Sequence, residues 1–184
     1  EGGCKLKANI DRYDFDMMHA VEPDGDELWT FAPDSTGNLQ IYNAPLVDKR
    51  VVFFNVTDTS ATYEADGLYA VDALSGTEPA LWSYTPEAPT ESSDGYSEGE
   101  SAPDTYPSPQ FNLDRTKIYT ALRDRIYCFD SRGNACYADW EDGCEIPDIS
   151  GSIRAAPLVD AAGDIYVGTK DDEESKFYKI DGTC

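Results

Sequence analysis

The side chains best suited to chemistry here are five cysteines, one histidine and a large surplus of carboxylates. Cysteines stand at 4, 128, 136, 144 and 184, with no C-x-x-C pair among them, and His19 is the sole imidazole. Structural zinc sites draw on Cys and His ligands paired at short spacing, and these residues make no such set. The C-x-x-C-H signal for haem attachment is missing too. Thiols without a metal point to disulfides, and so to an oxidising compartment: periplasm, cell surface or exterior. Cys136 and Cys144 flank a strand carrying Trp140, where Asp142 and Gly143 allow a tight return, and they are the expected pair. Cys128 with Cys136, across the turn at Gly133, is the alternative. Cys4 and Cys184 could staple the ends, and an odd cysteine remains, free or paired with another chain.

Hydrolytic chemistry finds no frame. G-x-S-x-G, H-E-x-x-H and the P-loop are absent, so His19 has no motif around it and reads as a structural or surface residue. Two acidic runs are the only candidate metal sites. Asp171, Asp172, Glu173 and Glu174 share a hairpin loop, and Asp11, Asp14 and Asp16 alternate with other residues. Calcium takes six to eight oxygens, and neither run has the EF-hand spacing with its Gly and final Glu. Solvated loops are the expectation, with no cofactor and calcium as the one metal to consider. Asn55-Val56-Thr57 is an N-glycosylation sequon, placed at a strand end before a loop.

Charge narrows the partners. Against 36 Asp and Glu stand 14 Lys and Arg, a formal net charge of -22. Such a surface repels nucleic acid and anionic lipid, which are bound through Lys and Arg. No run approaches the ~20 apolar residues of a membrane span. The chain starts at Glu1, which suggests a processed or truncated product.

What positions these residues is a repeat. Ala20-Val21-Glu22-Pro23-Asp24-Gly25 leads to Trp29; Ala70-Val71-Asp72-Ala73-Leu74-Ser75-Gly76 leads to Trp82; Cys128-Phe129-Asp130-Ser131-Arg132-Gly133 leads to Trp140. Lys179-Ile180-Asp181-Gly182 is a fourth copy. Each is a strand end, a polar turn closed by Gly, and a strand with an aromatic. A second phrase carries Pro45, Pro109 and Pro157, each followed by a β-rich run such as Val51–Phe54 or Ile165–Gly168. A unit of this size with four short strands is one propeller blade. Strands are expected at about 43–47, 51–57, 67–72 and 80–85, then 107–112, 116–121, 125–130 and 137–141, then 155–159, 164–168 and 176–181. Residues 87–106, rich in Pro, Ser, Glu, Gly and Asp, cannot bury a strand and read as an exposed acidic loop.

These phrases resemble the repeat of pyrroloquinoline-quinone (PQQ) type, with Ala44–Trp82 and Ala156–Gly168 the closest stretches. The resemblance covers about residues 20 to 184. It implies an all-β fold of three to four four-stranded antiparallel blades, one propeller segment spanning 1–184. It also implies that Trp29, Trp82 and Trp140 dock neighbouring blades while Gly25, Gly76 and Gly133 close turns. The quinoprotein dehydrogenases of this superfamily hold their quinone beneath adjacent cysteines and use a calcium bound by Glu, Asn and Asp; no two cysteines are adjacent here. Three to four blades fall short of a usual ring, so an incomplete ring or one completed by a partner is expected. The expected function is a noncatalytic extracytoplasmic scaffold or protein-binding module. Its partner would be another protein chain or the remainder of the propeller. The alternative is a piece of a PQQ-dependent dehydrogenase.

Overall fold

Short runs of Val, Ile, Tyr and Phe between Gly and Asp turns cannot form long helices, and they pair instead as narrow antiparallel sheets. The computed structural model describes residues 17–33, 39–58, 67–76, 80–86, 107–122, 125–137, 144–145, 152–170 and 175–182. Every element among them is a strand, and every pairing is antiparallel. No helix among the described residues is long and apolar enough to cross a membrane.

The first sheet is β1 (Met18–Val21) with β2 (Glu27–Phe31). The second holds β3 (Leu39–Gln40), β4 (Leu46–Asp48), β5 (Val51–Asp58), β6 (Gly67–Asp72) and β7 (Trp82–Tyr84). In the third, β8 (Gln110–Phe111), β9 (Ile118–Leu122), β10 (Arg125–Phe129) and β11 (Cys144–Glu145) lie side by side in chain order. The fourth comprises β12 (Ser152–Ile153), β13 (Leu158–Val159), β14 (Ile165–Lys170) and β15 (Lys176–Ile180). None of the four closes on itself.

The prolines of the second phrase explain the leading strands. β3 and β4 both pair with β5, at Thr57–Asp58 and at Val51–Phe53. They are two halves of one strand, broken around Pro45, which has no N–H to donate to a ladder. β12 and β13 flank Pro157 and pair with β14 in the same manner.

Register makes the sheets equivalent residue by residue. Leu46, Gln110 and Leu158 sit opposite Phe53, Tyr119 and Tyr166. Those three face Ala70, Cys128 and Lys179 on the following strand. Two residues away, Leu68, Ile126 and Phe177 correspond.

Alternation then assigns faces. Phe53 and Phe54 are adjacent, fully buried and point opposite ways. Phe54 joins Val52, Val56 and Val71 against Met18, Ala20, Trp29 and Phe31 of the first sheet. Phe53 joins Leu68 and Ala70 against Ile118, Leu122, Tyr127 and Phe129 of the third. Tyr119, Ala121, Ile126 and Cys128 turn the other way, against Ile153, Ile165 and Val167 of the fourth. Three cores therefore lie in series between four sheets. The middle sheets are apolar on both faces, which is why Ile118–Leu122 is buried at every position.

The strand placed at 137–141 falls mostly outside the described residues; β10 pairs with β11 and, at an isolated bridge, with Ala135. Two expectations change. The disulfide joins Cys136 to Cys128, not to Cys144. The turn after β10 returns the chain so that Cys136 N–H donates to the Cys128 carbonyl at 2.9 Å, and the two Cα atoms stand 5.4 Å apart. Cys144 is held opposite Ile126 instead. The sequon is not at an exposed strand end: Asn55 lies inside β5, fully buried. Its amide donates to the Pro107 carbonyl at 2.5 Å and accepts from the Thr120 hydroxyl at 2.8 Å, joining the second sheet to the third. An amide so engaged is closed to glycan attachment in the folded chain.

Candidate interaction surface

Sheets dock through one recurrent device. The Trp29 indole of the first sheet lies over Gly76, in the turn after β6, and its Nε1–H donates to the Ala73 carbonyl at 3.0 Å. One sheet further on, Trp82 lies over Gly133, in the turn after β10, and donates to the Ser131 carbonyl at 3.2 Å. In both turns the glycine has positive φ, +53° at Gly76 and +87° at Gly133. A Cβ at Gly76 would fall inside the indole, and one at Gly133 would stand 2.7 Å from it. Glycine is thus required twice over, by backbone and by contact.

The carboxylate opening each turn shapes it. Asp72 accepts from the N–H groups of Leu74 and Ser75, and Asp130 from those of Arg132 and Asn134. The Leu74 N–H holds the Asp72 carboxyl below its ordinary range, with help from Arg50 against partial desolvation. For Asp130 desolvation pushes upward, and the bonds from Asn134 and Arg132 together outweigh it. Such Asx turns account for the Asp that opens the turn in the second and third copies of the phrase.

Gly25 is a turn glycine of another kind: its φ is +102°, yet nothing lies within 4 Å of the Cβ it lacks. Trp140 lies outside the described residues. So do Asp11, Asp14 and Asp16, the run Asp171, Asp172, Glu173 and Glu174, loop 87–106, Cys4 and Cys184. Among the described residues no three of His, Cys, Asp and Glu gather to hold a metal. His19 lies on β1, its Nδ1 2.9 Å from Glu27 and 3.3 Å from Thr30.

The surface with binding character is one the sequence reading did not single out. It is the face of the fourth sheet turned away from the third. Val159, Ile165, Val167, Tyr178 and Ile180 pack inward, so alternation turns Leu158, Tyr166, Phe177 and Lys179 outward. Phe177 is 71% exposed and Leu158 60%. Their counterparts in the second sheet tell the difference: Leu68 is fully buried against the third sheet. The outward rings of Tyr166 and Phe177 stack at 6.1 Å, and Lys179 Nζ sits 2.5 Å from Asp164. The Asp164 carboxylate holds the Lys179 ammonium above its usual range. Aligning Leu68-Tyr69-Ala70 with Phe177-Tyr178-Lys179 was the available signal, because only the register tells which of two adjacent aromatics points outward.

No protein-family model matches the sequence, and no curated protein matches it. Among solved structures, a protein of unknown function from Bacteroides caccae is similar over 92% of this chain, at 12% identity and a TM-score of 0.49. This chain spans 55% of that protein's length.

Proposed function

We propose that the chain is a noncatalytic protein-interaction module of an extracytoplasmic assembly. In this reading its four sheets are consecutive blades of a PQQ-like propeller, and another polypeptide covers the face they leave open. The observation that carries it is the outward face of β13–β15. Leu158 and Phe177 stand exposed at register positions where Leu46 and Leu68 contribute to a core. Apolar area of this kind is worth roughly 25 cal/mol per Å² when covered, so a sheet built for stacking gains from a partner. The recurrent Trp-over-Gly docking supports blades of one repeat type. The Cys128–Cys136 disulfide supports an oxidising compartment.

The test is the mass of the chain isolated from its own host without denaturant, by chromatography with light scattering. The expected result is an assembly heavier than the same chain measured in denaturant, lost in a Phe177→Asp variant that keeps its β circular dichroism. Wild type and variant both at the mass of the single denatured chain would sink the reading.

A further inference from the structure

We propose that Tyr137 is a nucleophilic tyrosine, a site where this chain takes an acyl group from an activated donor as a phenolic ester. The site is separate from the outward face of β13–β15 and goes beyond the interaction reading.

Two turns bring the groups together. Lys117 ends the turn between β8 and β9, and Tyr119 follows two residues later on β9. Tyr137 comes from the chain beyond β10. The Cys128–Cys136 disulfide fixes the residue before it to β10, where Cys128 lies opposite Tyr119. Lys117 Nζ donates to the Tyr137 hydroxyl at 2.7 Å and stands 4.3 Å from the centre of its ring. The Tyr119 hydroxyl is hydrogen-bonded to the same phenol.

An ammonium and a second phenol therefore meet at one phenolic oxygen, and both favour its ionised form. The Lys117 bond is the larger effect and, with the Tyr119 bond, holds Tyr137 below the ordinary tyrosine range against partial burial. Tyr119, buried in the same core, is pushed the other way, by burial first, then by its bond to Tyr137 and by the Asp114 carboxylate. The first proton to leave the pair is therefore that of Tyr137. From the fourth sheet Val159, Ile165, Val167, Tyr178 and Ile180 pack at this core and bring no charge. Tyr166 is the contrast: its hydroxyl donates to Asp160 at 3.1 Å, and that carboxylate pushes it up. The net charge of -22 opposes ionisation at all twelve tyrosines, so Lys117 decides the order among them.

A phenol attacks as its phenolate, and a tyrosine that ionises early carries more of it at pH 8. The Tyr137 oxygen adds to the acyl carbon, and the bond from that carbon to the leaving group breaks. The leaving group departs with the electron pair and takes up the proton lost by the phenol.

N-Acetylimidazole supplies such an acyl group, with imidazole as the leaving group. The folded chain, treated with limiting reagent at pH 8 and mapped by peptide mass, is the test. Tyr137 should be acetylated faster than any other tyrosine by about tenfold, the gain from ionising one pH unit earlier. Hydroxylamine should remove the group, as it does from phenolic esters and not from amides. Lys117→Met should slow Tyr137 by about tenfold, and Lys117→Arg should restore most of the rate. Rates at the other tyrosines should hold in both variants, which a loosened fold would not allow. Circular dichroism checks that the sheets persist, and the wild-type order decides the matter wherever a variant loses them. Tyr137 acetylated no faster than the other tyrosines, or at the wild-type rate in Lys117→Met, overturns the proposal.

Discussion

Gly76 shows at residue scale how the repeat is enforced. A tryptophan from the preceding sheet needs an open floor, and the turn needs positive φ; only glycine supplies both. Gly25 supplies the backbone freedom alone. Gly76→Ala should therefore cost roughly 2–4 kcal/mol, overpacking added to strain, against roughly 1–2 kcal/mol for Gly25→Ala. Thermal or denaturant unfolding of both variants measures the gap, and equal losses would remove the docking argument. Asn55 makes the opposite lesson of a polar residue. Buried between Pro107 and Thr120, it reaches from the second sheet to satisfy a carbonyl before β8 and a hydroxyl on β9, a role no local pattern announces.

At the scale of elements, the hairpin after β10 is the most heavily tied. Its turn carries the Asp130 bonds, the bridge from Phe129 to Ala135, the Trp82 contact and the Cys128–Cys136 disulfide. Closing so short a loop is worth roughly 2–3 kcal/mol in the chain-entropy model. Mapping of peptides without reduction should link Cys128 with Cys136, and reduction should lower the unfolding midpoint by a matching amount. A Cys136–Cys144 peptide would overturn this pairing. Cys128 also faces the core between the third and fourth sheets, so the bond ties the docking turn to the strand beneath it.

Across the whole molecule, 36 acidic against 14 basic side chains crowd one surface. Ion pairs such as Arg50 with Asp72 and Lys179 with Asp164 relieve the repulsion only locally. Raising ionic strength shortens the screening length from about 30 Å at 0.01 M to about 10 Å at 0.1 M. The unfolding midpoint should therefore climb with salt. A falling midpoint would mean that specific ion pairs outweigh the net repulsion.

The amino-acid sequence alone determined the strands, their antiparallel turns and the repeat, because these depend on neighbours within a few residues. Gly76 and Gly133 were legible from Asp-to-Gly phrases, and β5, β6, β9, β10, β14 and β15 from β-branched and aromatic runs. Tryptophan docking could be read only through the resemblance, and the structure shows it at Trp29 and Trp82. Tertiary structure decided which face of each strand met which sheet. A side-chain period of two makes adjacent residues such as Phe177 and Tyr178 indistinguishable until the register is set. It also decided that Cys136 turns to Cys128, since hairpin geometry and not spacing brings sulfurs together. And it turned Leu158 and Phe177 away from the core that Ile165 and Val167 enter, because a strand face is buried only where another sheet meets it.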